Sequence, residues 1–203
     1  MPRIDDYFNA AKIAIEALAK ESPKDILKRS GFEADAEGIR TPFLNRTYSI
    51  HIPGFTFNDT APEPKDVPIQ EQVLILHYLQ ASGLQFPTGN WIAYREIQGA
   101  SFYFSAFVKR AIDPLKSTFG SNIQALVKAA ERLGGHAIPA GDAGFEFRVL
   151  PRIPIQLILW EGDAEFPSEA NILFDDSIGD ILSPEDVAWL AGMLVYRLMA
   201  LSR

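Results

Sequence analysis

The sequence predicts an α+β fold, an antiparallel sheet packed by helices with a long helix at the C-terminus. Three observations predict it. Helical spacing marks the first twenty residues and the stretch after Ser183. Three β-type segments follow one another between about residues 144 and 175. Those segments lie close in sequence, which favours an antiparallel meander over parallel strands with long crossovers.

The elements follow in order. Residues 4–20 are rich in Ala and pair Ile13 and Ala14 with Leu18 at helical spacing. Ser22-Pro23-Lys24-Asp25 is a helix start, with an N-cap residue, proline in the first turn and an acid three places on. Gly31 is placed to end that helix in a left-handed conformation. From Phe32 to Phe57 the period becomes two: Tyr48, Ile50 and Ile52 face one side, Thr47, Ser49 and His51 the other. Residues 58–68 are a loop rich in Pro, Asp and Glu.

Ile69–Gln80 is apolar enough for a buried helix. Gly83, Pro87 and Gly89 mark a loop, and Trp91–Glu96 a short strand. Helical spacing returns at 100–108 and at 122–133, where Gly134-Gly135 stops it. Gly144–Leu150 alternates Phe145, Phe147 and Val149 with Glu146 and Arg148. Ile153–Trp160 is apolar on both faces, as a central strand is, and Ala170–Asp175 is the third strand. Ser183-Pro184-Glu185-Asp186 starts the last helix, whose stripe is Val187, Leu190, Ala191, Leu194, Leu198 and Leu201.

A chain of 203 residues buries about 70% of its unfolded surface, enough for one core. The division expected is one domain, 1–203. The alternative is a small N-terminal lobe, 1–57, joined by the loop at 58–68. The net charge of −7 sets the chain against nucleic acid as a partner. No apolar run reaches the roughly 18 residues of a membrane span, and no secretory leader is visible, so a cytoplasmic location and no membrane partner are expected. The chain holds no cysteine, which excludes a cysteine-ligated iron–sulfur cluster and thiolate catalysis.

Recognised catalytic patterns are absent: no phosphate loop, no dinucleotide fingerprint, no zinc-protease helix and no nucleophile elbow. His51, His77 and His136 stand far apart without ligand spacing, and each reads as a structural residue. One constellation stands out. Glu161, Asp163, Glu165 and Glu169 put four carboxylates into nine residues after the central strand, interleaved with Trp160, Phe166 and Pro167. Crowded carboxylates demand a counter-charge, which a divalent cation on Asp163, Glu165 and Glu169 would supply, or an Arg or Lys. The plainer alternative is a solvated loop whose acids cap turns and pair with Arg95 or Arg152. A second feature is aromatic density around Trp91, Tyr94, Phe102, Tyr103 and Phe104, which either lines a pocket for a flat ligand or is core.

These segments resemble a known family. The residues that carry the likeness are Gly89-x-Trp91-Ile92 with Arg95-Glu96 and Gly99, then Gly141-Asp142, then Leu150-Pro151-Arg152-Ile153-Pro154. Trp160-Glu161-Gly162-Asp163-x-Glu165-Phe166-Pro167 is the most specific stretch; Leu173-Phe174-Asp175 and Leu182-Ser183-Pro184-Glu185-Asp186 complete it. The chain is similar over roughly Ser22 to Leu198 to domain-of-unknown-function family 3786, an uncharacterised prokaryotic family associated with anaerobes. The resemblance implies one globular module, with some relatives joined to iron–sulfur or corrinoid-type domains. It carries no catalytic residue over.

Two functions are weighed. The first is a binding or accessory module, with a protein partner or a small molecule held at loop 161–169 and the Trp91 patch. The second is a carboxylate- or divalent-metal-dependent enzyme acting on a small molecule. Asp163, Glu165 and Glu169 would then be ligands or acid and base, and Arg95 or Arg152 would hold an anionic group.

Overall fold

The computed structural model describes residues 4–36, 38–82 and 86–202; Gly83, part of the expected loop, lies outside them. The fold is α+β, with two antiparallel sheets and a long C-terminal helix. The chain divides into two compact units, one of Met1–Phe86 with Asp180–Leu182, the other of Pro87–Gly179 with Ser183–Arg203. No helix among the described residues is long and apolar enough to cross a membrane.

In the first unit, α1 (Ile4–Leu18) packs on α3 (Ile69–Gln80), and α2 (Pro23–Ser30) lies beside α3. Ser22 precedes α2 as expected but accepts no hydrogen bond through its side chain; Pro23 in the first turn starts the helix and the left-handed Gly31 (φ 73°) ends it. The alternating region folds into four strands in sequence order: β1 (Glu33–Asp35), β2 (Gly38–Phe43), β3 (Arg46–His51) and β4 (Thr56–Asp59). Tyr48 and Ile50 point inward, as their period of two requires. The Tyr48 hydroxyl donates to Glu71 of α3, which keeps a buried carboxylate hydrogen-bonded. Gly38 is required where it stands, because a Cβ there would lie 1.9 Å from the Ile50 carbonyl oxygen.

The second unit holds a five-stranded sheet in the order β5-β9-β8-β7-β6. The meander β7 (Ala143–Leu150), β8 (Ile153–Trp160) and β9 (Glu169–Asp175) is its centre. β5 (Trp91–Ala93) flanks β9; the expected strand stops there, and Tyr94–Glu96 turn into a short 3₁₀ segment fixed by the Ala93 N–H on the Glu96 carboxylate. β6 (His136–Ile138) flanks β7.

The helix expected at 100–108 is replaced by a longer irregular one. A 3₁₀ turn at Ala100–Phe102 leads into α4 (Phe104–Phe107), a π turn (Val108–Ile112) and α5 (Asp113–Phe119). Pro114 explains the π turn. It has no N–H to give the Arg110 carbonyl, and its ring would strike that carbonyl in a regular α-helix. The widened turn closes instead with the Asp113 N–H on the Val108 carbonyl. α6 (Ile123–Arg132) and α7 (Pro184–Leu201) complete the layer, and Ser183 caps α7 by accepting from the Asp186 N–H at 3.2 Å.

These helices cover one face of the sheet. Phe174 of β9 meets Phe107 of α4 edge-on at 6.1 Å and Tyr94 at 6.2 Å, and Ile155, Leu157 and Ile172 share that buried face.

Candidate functional site

Strand register sorts the candidate residues. Trp160 lies opposite Glu169, and Trp91 lies opposite Asp175. Glu169 and Asp175 are an even number of residues apart on β9, so all four side chains belong to the outer face of the sheet. Asn171, Leu173, Gln156 and Glu146 lie between them on that face, and Gln156 bonds Glu146 across the strands at 3.1 Å. Six strand residues separate the two tryptophans along the sheet, about 20 Å. They stand at opposite corners of one half-exposed surface rather than in one pocket.

The acidic loop is the β8–β9 hairpin, and it is built rather than loose. The Glu161 N–H donates to the Asp142 carboxylate at 2.8 Å, while the Asp142 N–H reaches the Leu159 carbonyl at 2.9 Å. The Gly162 N–H donates to the Gly120 carbonyl at 3.0 Å and ties the hairpin to the corner between α5 and α6. A Cβ on Gly162 would sit 2.7 Å from the Ser168 nitrogen, so the chain closes here only with glycine. Asp163 then folds the tip: its carboxylate accepts the Phe166 N–H at 2.7 Å and the Glu165 N–H at 2.8 Å. Those two bonds hold the Asp163 carboxyl below the ordinary carboxylate range. Glu169 pairs with Lys116 of α5 at 3.1 Å.

The four acids therefore divide in two. Asp163 and Glu169 already have partners within the chain, two backbone amides and Lys116. Glu161 and Glu165 have carboxylates that make no ion pair or hydrogen bond among the described residues. Beside them the tip exposes Phe166 (67%) and Trp160 (42%). Among the described residues no three His, Cys, Asp or Glu side chains are grouped to hold a metal ion.

Neither candidate arginine serves this loop. Arg152 is buried in the β7–β8 turn, at the other end of β8, about 24 Å away along the strand. Arg95 lies with its guanidinium 3.7 Å over the Phe104 ring. The hairpin's counter-charge is Lys116.

Two further arrangements stand beside them, the first unforeseen, the second the core alternative for the aromatic cluster, realised at Tyr94 but not at the exposed Phe102. The first is the buried Asp175, whose carboxylate accepts from the N–H groups of Gly89 (2.7 Å), Thr88 (3.0 Å) and Ser177 (3.1 Å) and from the Ser177 hydroxyl (2.6 Å). Burial pushes its pKa up, but the Ser177 hydroxyl and the three N–H groups together outweigh that and hold it low. An acid closing an apolar strand two residues before Ser177 is the signal that was available, since a buried carboxylate must be satisfied locally. The second is the aromatic layer under α7. Tyr94 stacks on Phe107 at 4.3 Å and donates its hydroxyl to the Pro184 carbonyl at 2.7 Å. Burial, with the charges of Tyr103 and Glu185 added and Arg110 opposing, pushes Tyr94 up to about 12. Tyr103 is raised too, first by the Glu185 charge.

Each unit also holds an open cleft lined by other residues. One of about 510 Å³ is lined by Asn122, Lys128, Glu131 and Arg132; the other, about 610 Å³, by Phe57, Asp59, Lys65 and Gln72.

Among known families, the one described as "Domain of unknown function (DUF3786)" matches residues 22–197, and the chain belongs to it. No curated protein and no solved structure matches the chain.

Proposed function

We propose that this member of the family is a binding module that grips a partner protein through the β8–β9 hairpin. One observation carries the reading: Asp163 and Gly162 hold the tip in a fixed turn that presents Phe166 and Trp160 to solvent beside the uncompensated Glu161 and Glu165. Exposed aromatics on a rigid support lose little entropy on binding, which is what interface anchors need. The carboxylates ask for a basic surface around the anchor. With a net charge of −7, nucleic acid is a poor occupant, and the module works in the cytoplasm on this reading. The binding reading is preferred to a metal-dependent enzyme because Asp163 already serves two backbone amides and Glu169 already faces Lys116.

The test is affinity capture from an extract of the native cells. The immobilised baits are wild type, the pair Trp160→Ala with Phe166→Ala, and the pair Glu161→Gln with Glu165→Gln. A protein retained by wild type should be lost with the first pair and retained less with the second. Retention of the same proteins by all three baits, or of none by wild type, removes the proposal.

A further inference from the structure

Two arginines of the second unit are handled differently from the others. The Arg95 guanidinium lies 3.7 Å over Phe104, and the Arg110 guanidinium lies 4.2 Å over Trp189. Neither makes an ion pair or a hydrogen bond among the described residues. By contrast Arg29, Arg40 and Arg46 pair with carboxylates, and Arg132 and Arg148 reach carbonyl oxygens. The acid near them, Glu185, is turned to the Tyr103 hydroxyl and pairs with neither guanidinium. Stacking fixes each guanidinium plane and leaves its N–H edge available.

The placement of Arg110 is built into the fold. It sits in the π turn that Pro114 imposes, and Gly192 lets α7 approach that turn closely, since a Cβ there would be 3.3 Å from Arg110 Cβ and carbonyl oxygen. Between the two arginines runs the aromatic segment Phe102-Tyr103-Phe104, and Phe102 is 84% exposed. Arginine and large aromatics are enriched at interface centres.

We infer that this arginine–aromatic face docks the β8–β9 hairpin of a second copy of the chain. The match is one of charge and kind. Two uncompensated guanidiniums, Arg95 and Arg110, meet two uncompensated carboxylates, Glu161 and Glu165, and exposed Phe102 meets exposed Phe166 and Trp160. The inference rests on the reading of the hairpin as a binding element and names its partner. The two faces are distinct patches of one surface, so the contact is of the heterologous kind.

Sedimentation velocity on the purified chain tests it, over a range of concentration and at low and high salt. Wild type should self-associate, and salt should weaken the association. Arg95→Glu with Arg110→Glu should lower the association constant about tenfold or more, as should Glu161→Lys with Glu165→Lys. Mixing the two double variants should restore association. In the mixture one wild-type hairpin meets one wild-type face, and the reversed hairpin meets the reversed face. That recovery also shows that both variants are folded. A wild type that stays monomeric throughout, reversals without effect, or a mixture that stays apart each overturns the inference. Capture of a different protein by the wild-type hairpin alongside a monomeric chain would sink self-docking and leave the proposed function standing.

Discussion

The Asp175 carboxylate accepts the Gly89 N–H at 2.7 Å, joining the end of β9 to the loop that leads into β5. Thr88 adds a second N–H, and the neighbouring Asp176 takes the Thr88 hydroxyl and the Asn90 side chain. An edge strand of three residues cannot hold its register by its own ladder. Asp175 therefore positions Trp91 by fixing the chain just before it.

Replacing Asp175 with Asn should cost about 2–3 kcal/mol, because charge-assisted bonds from several donors are replaced by bonds to a neutral amide whose NH₂ faces those donors. Urea unfolding measures the loss, and amide exchange at Gly89 and Trp91 should accelerate beyond it. The pH dependence has a definite sign. The folded pKa of Asp175 is depressed, so its contribution is present above the unfolded value of 3.8 and is lost as pH falls through the folded value. Wild type should lose stability in acid more steeply than Asp175→Asn.

Tyr94 gives the opposite limb. Its folded pKa is raised from 10.0 to about 12, so the phenol's contribution is complete below pH 10 and lost as pH rises through 12. Stability measured between pH 9.5 and 12 should fall more in wild type than in Tyr94→Phe, which has nothing to ionise at this position. Equal slopes in the two proteins would show that Tyr94 is not the group responsible.

What could be read in the sequence depended on how local the determinant was. β8 matches its expected bounds because Pro151-Arg152 and Gly162 punctuate an unbroken apolar run. α3 and α7 were legible for the same reason, since each is a long apolar run with a proline at its start. β6 was not, because three residues after a double glycine show no period; its pairing with β7 makes it a strand. The helix from Phe104 to Phe119 was missed in its second half because Pro114 reads as a breaker, and only the π turn reconciles it with a continuing helix. At the site, the crowding of acids was visible but their use was not. Asp163 turns toward two amides two and three residues on, and Glu169 finds Lys116, which lies 53 residues back in the chain.

Phe174 and Trp160 separate scaffold from surface on the same sheet. Phe174 is fully buried against the rings of Tyr94 and Phe107, so Phe174→Ala should cost about 3–5 kcal/mol. Trp160 is 42% exposed at a strand end, and Trp160→Ala should cost about 1 kcal/mol or less. Chemical denaturation of both variants measures the contrast. A Trp160 loss as large as that of Phe174 would mean that its ring is a structural element, and it would then be unsuited to an interface anchor.

The hairpin's rigidity can be tested apart from any partner. Gly162→Ala drives a Cβ to 2.7 Å from the Ser168 nitrogen, backbone that cannot swing aside, and should cost about 1–3 kcal/mol as the turn opens. Asp163→Ala removes the acceptor for two amides, so exchange at Glu165 and Phe166 should rise sharply while the amides of Leu157 and Ile172 in the strands keep their protection. Asp163→Asn should restore part of it, since a neutral side-chain carbonyl still accepts. Millimolar Mg²⁺, Mn²⁺ or Ca²⁺ should leave the wild-type melting temperature within about 1 °C, because a cation would have to take Asp163 from its amides and Glu169 from Lys116. A large upward shift with one cation, abolished in Asp163→Ala, would instead make the tip a metal site and the aromatics its rim.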